Sequence, residues 1–288
     1  MAARAPLHST CLALVVVVSA SLAVACDSGE RSGEDLLRYV SLGDSFPAGE
    51  GLPGVTGPCR RSPLAYPNLL AQRTNLLPSL HACSGATTDD VLERGRHPEE
   101  GRPQIEWVAP DTDVVTLTVG GNDVGFGRVV GACLARAMPC SRLDREVGTR
   151  LLGLRERLEV VTREIRRRVP DARLLVVGYP HLIADSGQFD LDRCRALGGS
   201  SSDSRITEDE VEWLREKGDA LNAAMRDAAL GVGARYVDAA GPFAGHEACT
   251  PVPWMTGLVE EDGGASFHPN AAGHEALARL VAAELASG

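Results

Sequence analysis

Four residues, spread along the chain, carry groups that could together cleave an ester. Ser45 lies in a Gly-Asp-Ser turn, His268 stands just before the last helical pattern, and Gly85 and Asn122 each follow an apolar run. Serine is a weak nucleophile that needs an adjacent base, which histidine can be. A glycine N–H and an Asn amide are suitable donors to the oxyanion that forms when an ester carbonyl is attacked. Taken singly, each of these segments is also an ordinary turn.

Short apolar runs precede three of these residues and predict the strands that position them. The runs are apolar or rich in β-branched residues and end at Gly, Ser or Pro, as buried parallel strands do. They predict strands at residues 39–42, 80–83, 114–119, 174–177 and 235–237.

Amphipathic patterns between these runs predict helices. Ser62-Pro63 suits the cap and first position of a helix that ends near residue 71. Thr207 and Glu210 form a capping-box pattern for a helix that extends to about residue 229. Two more helices are predicted at 145–168 and 270–285.

This alternation of strands and helices predicts a single three-layer α/β domain with a mostly parallel central sheet. In such folds, ligands bind beyond the carboxyl ends of the strands. Because three of the four residues follow strands and His268 precedes a helix, we expect them to meet at one edge of the sheet.

The N-terminus has the features of an export signal. Arg4 precedes an apolar stretch at 11–25 that is too short to span a bilayer comfortably. Ala25-Cys26 is similar to a bacterial lipidation site at Cys26, and ordinary cleavage at the same place is the alternative. We expect a signal peptide (1–25), a polar tether (26–37) and a folded domain (38–288). The protein is then extracellular, either secreted or a surface lipoprotein anchored to the membrane through Cys26.

The cysteine content agrees with export. Six of the eight cysteines lie beyond the signal and its cleavage site, and an even number in an exported chain suggests disulfides with the pairing left open. They are Cys59, Cys83, Cys133, Cys140, Cys194 and Cys249. No spacing is typical of a zinc site, so we expect no metal. The formal charge of −10, without a basic run, argues against nucleic acid as a partner.

Two other enzyme motifs fit less well. Residues 125–131 resemble a dinucleotide-binding loop, but the spacing is G-x-G-x-x-x-G and no acidic partner follows a second strand. We predict that this segment instead starts a helix beside the site. No serine lies in the G-x-S-x-G motif of α/β-hydrolases.

Together, in this order and at these positions, the four segments resemble the four sequence blocks of SGNH (GDSL) hydrolases. Residues 49–51 (GEG) and 66–67 (YP) are similar to those of the extracellular streptomycete lipases and esterases of that family. The resemblance covers residue 39 to about residue 278. It implies a flavodoxin-like fold with a five-stranded sheet, and we expect a monomer.

The resemblance also implies the role of each site residue. Ser45 is the nucleophile and His268 its base, and the oxyanion hole consists of Ser45, Gly85 and Asn122, with no cofactor. Relatives carry three disulfides in sequential order, which here implies the pairs Cys59–Cys83, Cys133–Cys140 and Cys194–Cys249.

The third catalytic position departs from the family pattern. Many members place an Asp three residues before the histidine, where this chain has Ala265. We expect a backbone carbonyl near Ala265 or Ser266 to accept the His268 ring N–H, since a carbonyl can fix the tautomer and ring angle. Asp262 is the alternative acceptor.

The predicted reaction is hydrolysis of carboxylic esters, with lipid or acylglycerol esters as the expected substrates. One alternative is a carbohydrate acetyl esterase of the same family. Another is a non-catalytic surface lipoprotein that binds a glycan or a partner in the same pocket, against which the intact Ser45, Asn122 and His268 argue. Trp254 and Met255 either line an apolar acyl groove or pack within their loop.

Overall fold

The computed structural model describes residues 36–97, 102–135, 139–185, 206–259 and 263–287. The predicted signal peptide, Cys26 and nearly all of the tether lie outside these residues, as do Cys194 and Asp262. Within the described residues, no helix combines the length and the apolar character that crossing a membrane requires.

A five-stranded parallel sheet forms the centre of the fold. The strands are β1 (Leu37–Gly43), β2 (Leu76–Leu80), β3 (Val114–Thr118), β4 (Arg173–Val177) and β5 (Arg235–Val237). Their order is β2-β1-β3-β4-β5, with every neighbouring pair parallel. This is the flavodoxin-like order, so the predicted fold class is confirmed.

The prediction of a strand at 80–83 is wrong, because β2 ends at Leu80. β2 is an edge strand in which Leu76 is buried and the next three residues, a proline among them, are exposed. The apolar run still lies alongside β1 and is hydrogen-bonded to it. The His81 N–H donates to the Ser41 carbonyl and the Cys83 N–H donates to the Gly43 carbonyl, each at 2.9 Å. The apolar run at 80–83 is therefore the buried segment that continues beyond the end of β2.

The α-helices of the described residues are α1 (Ser45–Ala48), α2 (Tyr66–Arg73), α3 (Gly121–Val124), α4 (Phe126–Ala135), α5 (Asp144–Arg168), α6 (Glu208–Leu230) and α7 (Ala271–Ala286). The predicted capping box of α6 is confirmed. Thr207 Oγ1 accepts from the Glu210 N–H at 3.3 Å, and Glu210 Oε2 accepts from the Thr207 N–H at 2.9 Å.

α2 begins at Tyr66, four residues after the predicted cap. Ser62 closes a turn instead, because its hydroxyl donates to the Pro53 carbonyl and accepts from the Leu64 N–H. Pro67 then occupies the first turn of α2, where its missing N–H is not needed.

Helices cover both faces of the sheet and give the predicted three layers. α5 packs against α6, and α2 packs against α7. All five residues of the central strand β3 are buried, as expected for a parallel strand between two helical layers. The carboxyl ends of β1 and β3 lie side by side, because Gly43 pairs with Thr118.

Disulfides join Cys59 to Cys83 and Cys133 to Cys140, which are two of the three pairs that the resemblance implies. Cys249 is also disulfide-bonded, and its expected partner, Cys194, lies outside the described residues. The Cys59–Cys83 bridge ties the loop between α1 and α2 to the segment that leads into Gly85.

Candidate active site

The backbone at the end of β1 fixes the turn that carries Ser45. Gly43 has a φ of 134°, and a Cβ at this position would lie 2.0 Å from the Thr118 carbonyl oxygen, so only glycine fits. Asp44 then caps α1, with Oδ1 accepting from the Phe46 N–H at 3.0 Å. Ser45, the first residue of α1, is thereby held at the carboxyl end of the sheet with 8 % of its surface exposed.

The loop before α7 brings His268 to Ser45. His268 Nε2 lies 2.7 Å from Ser45 Oγ, and His268 Nδ1 lies 3.0 Å from the Ser266 carbonyl oxygen. Thr256 braces this segment, because its N–H donates to the His268 carbonyl at 2.8 Å and its hydroxyl accepts from the His268 N–H at 3.2 Å. The imidazole is thus oriented at both ring nitrogens.

Of the two backbone carbonyls predicted to orient His268, that of Ser266 is the one in contact with Nδ1 of the ring. The Ala265 carbonyl instead accepts a bond from the Thr256 hydroxyl. Asp262 lies outside the described residues. A carbonyl acceptor requires a hydrogen on Nδ1, which leaves the Nε2 lone pair directed at the Ser45 hydroxyl.

Gly85 and Asn122 line the same cavity as Ser45 and His268. Gly85 is in the left-handed region with a φ of 78°. Asn122 Nδ2 donates to the Ala86 carbonyl at 2.9 Å, which fixes the amide while leaving it a second hydrogen. Within the described residues, the N–H groups of Ser45 and Gly85 have no acceptor. These three donors can therefore all receive an oxyanion.

Tyr179 is a residue of the site that the sequence patterns did not indicate. Its hydroxyl donates to Asp44 Oδ2 at 2.5 Å and accepts from the Gly121 N–H at 3.2 Å. Burial raises the pKa of Tyr179 well above its ordinary value of 10, so the hydroxyl stays protonated. Its position after β4, at the carboxyl end of the sheet, is the signal that could have marked it.

Asp123 is a second such residue, next to Asn122. Its carboxylate accepts from the Thr88 N–H at 3.0 Å and from the Thr88 hydroxyl at 2.5 Å. Burial raises the pKa of Asp123, while these bonds oppose the rise. Asp123 therefore fastens the Asn122 turn to the segment that follows Gly85.

The cavity at the Ser45–His268 pair has a volume of about 420 Å³, and most of its wall is apolar. Helices α4 and α6 and the loop after β4 supply much of this wall, through Phe126, Val130, Leu182, Ile183, Leu214 and Leu221. The helix predicted to start within 125–131 is α4, and it does lie beside the cavity.

Trp254 and Met255 do not line this cavity. Trp254 stacks on His246 with 3.8 Å between ring centroids, and Met255 is fully buried in the core. Of the two interpretations of this pair, packing within the loop is correct.

One group of described residues has side chains of the metal-binding type at close range, namely Cys59, Cys83 and His97. The two cysteines are joined in a disulfide, so their sulfurs are not available as thiolate ligands.

The chain is similar to known lipases over most of its length. A family model described as "GDSL-like Lipase/Acylhydrolase family" matches residues 41–276. A lipase from Streptomyces rimosus is 32 % identical over 82 % of this chain and 81 % of its own length, and Lipase 2 from Streptomyces coelicolor is 33 % identical over 84 % and 83 %.

A solved structure gives the same result. The crystal structure of phospholipase A1 from Streptomyces albidoflavus is 30 % identical, covers 86 % of this chain and 98 % of its own, and superposes with a TM-score of 0.73. The resemblance that the four sequence segments suggested is thereby confirmed, and the chain belongs to the GDSL-like lipase/acylhydrolase family as an ester hydrolase of the lipase or esterase type.

Proposed function

We propose that this protein is an exported serine esterase that hydrolyses lipid esters through an acyl-enzyme on Ser45. The observation that carries the proposal is the 2.7 Å contact between Ser45 Oγ and His268 Nε2 at a largely apolar cavity. The pair supplies a nucleophile and its base, and the cavity suits an acyl chain.

In the proposed first step, His268 Nε2 takes the proton of Ser45 as Oγ attacks the ester carbonyl. The charge that develops on the carbonyl oxygen is received by the N–H groups of Ser45 and Gly85 and by the Asn122 amide. His268 then gives the proton to the leaving alcohol. Water attacks the acyl-enzyme by the same route, which releases the acid and restores Ser45.

We propose that the Ser266 carbonyl orients His268, a role that a carboxylate has in many related sites. It can hold the imidazole in the tautomer with hydrogen on Nδ1. In the proposed mechanism Ser45 and His268 are the two catalytic side chains, and a neutral carbonyl stabilises the imidazolium less than a carboxylate would.

The apolar wall supports a lipid ester over an acetyl ester as the substrate. An acetyl group has little apolar surface to bury, whereas each buried methylene of a longer chain contributes about 0.8 kcal/mol. Relatives named as lipases and as a phospholipase A1 support the same choice. The carbohydrate acetyl esterase remains the second candidate.

Export is part of the proposal. The disulfides agree with an oxidising compartment, and the N-terminal sequence has the pattern of a signal peptide followed by Cys26. Lipidation at Cys26 is tested by Cys26→Ser, which should release a membrane-associated protein to the medium.

The reaction is tested with p-nitrophenyl esters from acetate to palmitate. Ser45→Ala should lose turnover on every ester while keeping its unfolding midpoint, and Ser141→Ala, at an exposed position outside the cavity, is the matched control. A serine-directed phosphonate should label a peptide that contains Ser45 in the wild type and no peptide in the variant. Turnover by purified Ser45→Ala would refute the nucleophile, and activity confined to acetate and acetylated xylan would favour the acetyl esterase.

A further inference from the structure

Helix α4 contributes two glycines, Gly127 and Gly131, to the wall of the cavity. They are four residues apart and so lie on one face of the helix, one turn from each other. A Cβ added at either glycine would meet no atom of the described residues within 4 Å. Both positions are exposed, so the helix presents bare backbone to an open part of the cavity.

Glycine inside a helix is unfavourable relative to alanine, because the unfolded chain loses more conformational freedom on folding. No crowding at Gly127 or Gly131 requires it, in contrast to Gly43, where a side chain would strike the Thr118 carbonyl. The φ values of the two α4 glycines are also ordinary helical ones, since neither is among the residues with positive φ. What the two glycines do provide is width in the cavity.

Two polar side chains of the cavity wall, Arg215 and His181, already have hydrogen-bond partners. Arg215 donates to the Ile183 carbonyl at 2.8 Å and to Glu247 Oε1 at 3.1 Å. His181 Nε2 lies 2.8 Å from Asp219 Oδ1. Because these polar groups already have partners and most of the wall is apolar, the cavity suits a hydrocarbon chain better than a sugar or a charged group.

The direction of α4 orders the two glycines along the cavity. The Gly125 N–H donates to the Asn122 carbonyl at 3.1 Å, and the Val129 N–H donates to the Gly125 carbonyl at 3.0 Å, so the helix leads on from the Asn122 turn. Gly131 lies one turn, about 6 Å, farther along this axis than Gly127.

We propose that Gly127 and Gly131 set the acyl-chain length that the enzyme accepts, by keeping the cavity wide beside α4. This inference rests on the proposed ester hydrolysis at Ser45. The acyl chain of a long-chain ester lies against the glycine face, and its portion nearer the carbonyl passes Gly127 before Gly131.

The experiment compares kcat/KM on acetate, butanoate, octanoate, dodecanoate and palmitate esters for Gly127→Leu and Gly131→Leu. In both variants the ratio of palmitate to butanoate kcat/KM should fall about tenfold or more, because excluding a single methylene from an apolar pocket lowers kcat/KM by about tenfold or more. Gly127→Leu should begin to discriminate at a shorter chain than Gly131→Leu.

Gly148→Leu is the matched control. Gly148 lies inside α5 and does not line the cavity, and a Cβ there would also meet no described atom within 4 Å. This variant should keep the wild-type chain-length profile. Gly127→Ala and Gly131→Ala should raise Tm by about 1 to 4 °C, which shows that the helix tolerates side chains there.

The outcomes separate this inference from the proposed function. If wild-type protein hydrolyses none of the esters, the proposed function fails. If it hydrolyses them and the two leucine variants, folded by Tm, keep the wild-type palmitate-to-butanoate ratio, the glycines do not set chain length. An equal loss in Gly148→Leu would also overturn the inference.

Discussion

The Tyr179 hydroxyl donates to Asp44 Oδ2 at 2.5 Å, although the two residues are 135 positions apart and both side chains are buried. The same hydroxyl accepts from the Gly121 N–H. Asp44 precedes Ser45, and Gly121 precedes Asn122. One phenol therefore links the turn that carries Ser45 to the turn that carries Asn122.

Tyr179→Phe should lower the free energy of unfolding by about 1 to 3 kcal/mol, because a buried carboxyl oxygen loses its partner. kcat on a short ester should also fall, since the Ser45 and Asn122 turns lose their link. Urea unfolding and steady-state kinetics measure the two effects.

Tyr236→Phe is the matched control for this variant. The Tyr236 hydroxyl is buried and has no hydrogen-bond partner within the described residues. Its removal should therefore leave stability unchanged or slightly increased. Equal effects of the two Tyr→Phe changes would refute a positioning role for Tyr179.

Asp44 should make stability depend on pH in a defined direction. Burial raises the pKa of Asp44 from its ordinary value of 3.8 to about 7, and the bonds from Tyr179 and Phe46 only partly oppose this. Between these values the folded protein keeps a proton that the unfolded chain has lost. The contribution of this proton to stability is full below about pH 4 and is lost as pH rises through 7.

Asp44→Asn tests this directly, because asparagine has no proton to lose. The free energy of unfolding of the wild type, minus that of the variant, should fall steadily from pH 4 to pH 7. Unfolding in urea at several pH values gives this difference, in which the other titrating groups largely cancel. A difference that stays constant, or rises, over this range would contradict the raised pKa.

Asn122→Ala should reduce kcat about 100- to 1,000-fold with little change in KM, the result expected for a donor that acts on the transition state. Asn68→Ala is a matched change outside the cavity, since the Asn68 amide donates to the Ser62 carbonyl. A change confined to KM would mean that Asn122 only binds substrate.

Local signals pointed to the four residues that the structure brings together at the candidate site. Ser45, Gly85 and Asn122 each follow an apolar run, and His268 precedes a helix, so a parallel sheet alone implies that they converge. The order of the strands and the final 2.7 Å contact could not be read from any single segment. The strand order and the pairing of Ser45 with His268 were predicted from the family resemblance.

Contacts between distant segments could not be predicted in this way. No local pattern pairs Asp44 with Tyr179, because the pairing depends on how β1 and β4 sit in the sheet. The placement of β2 failed for a related reason. An edge strand needs few apolar residues, so the apolar run at 80–83 gave a stronger strand signal than the strand at Leu76–Leu80.

The choice between a dyad and a triad gives the last prediction. His268 Nδ1 lies 3.0 Å from the Ser266 carbonyl oxygen, which can orient the ring. On this basis Asp262→Asn should leave kcat within a few-fold of the wild type, whereas His268→Ala should abolish turnover. Both are measured on a short ester, with the unfolding midpoint as the check on folding. A fall near 10⁴-fold in Asp262→Asn, which is roughly the loss known for the triad Asp of serine proteases, would show that Asp262 acts on His268 and that the dyad is wrong.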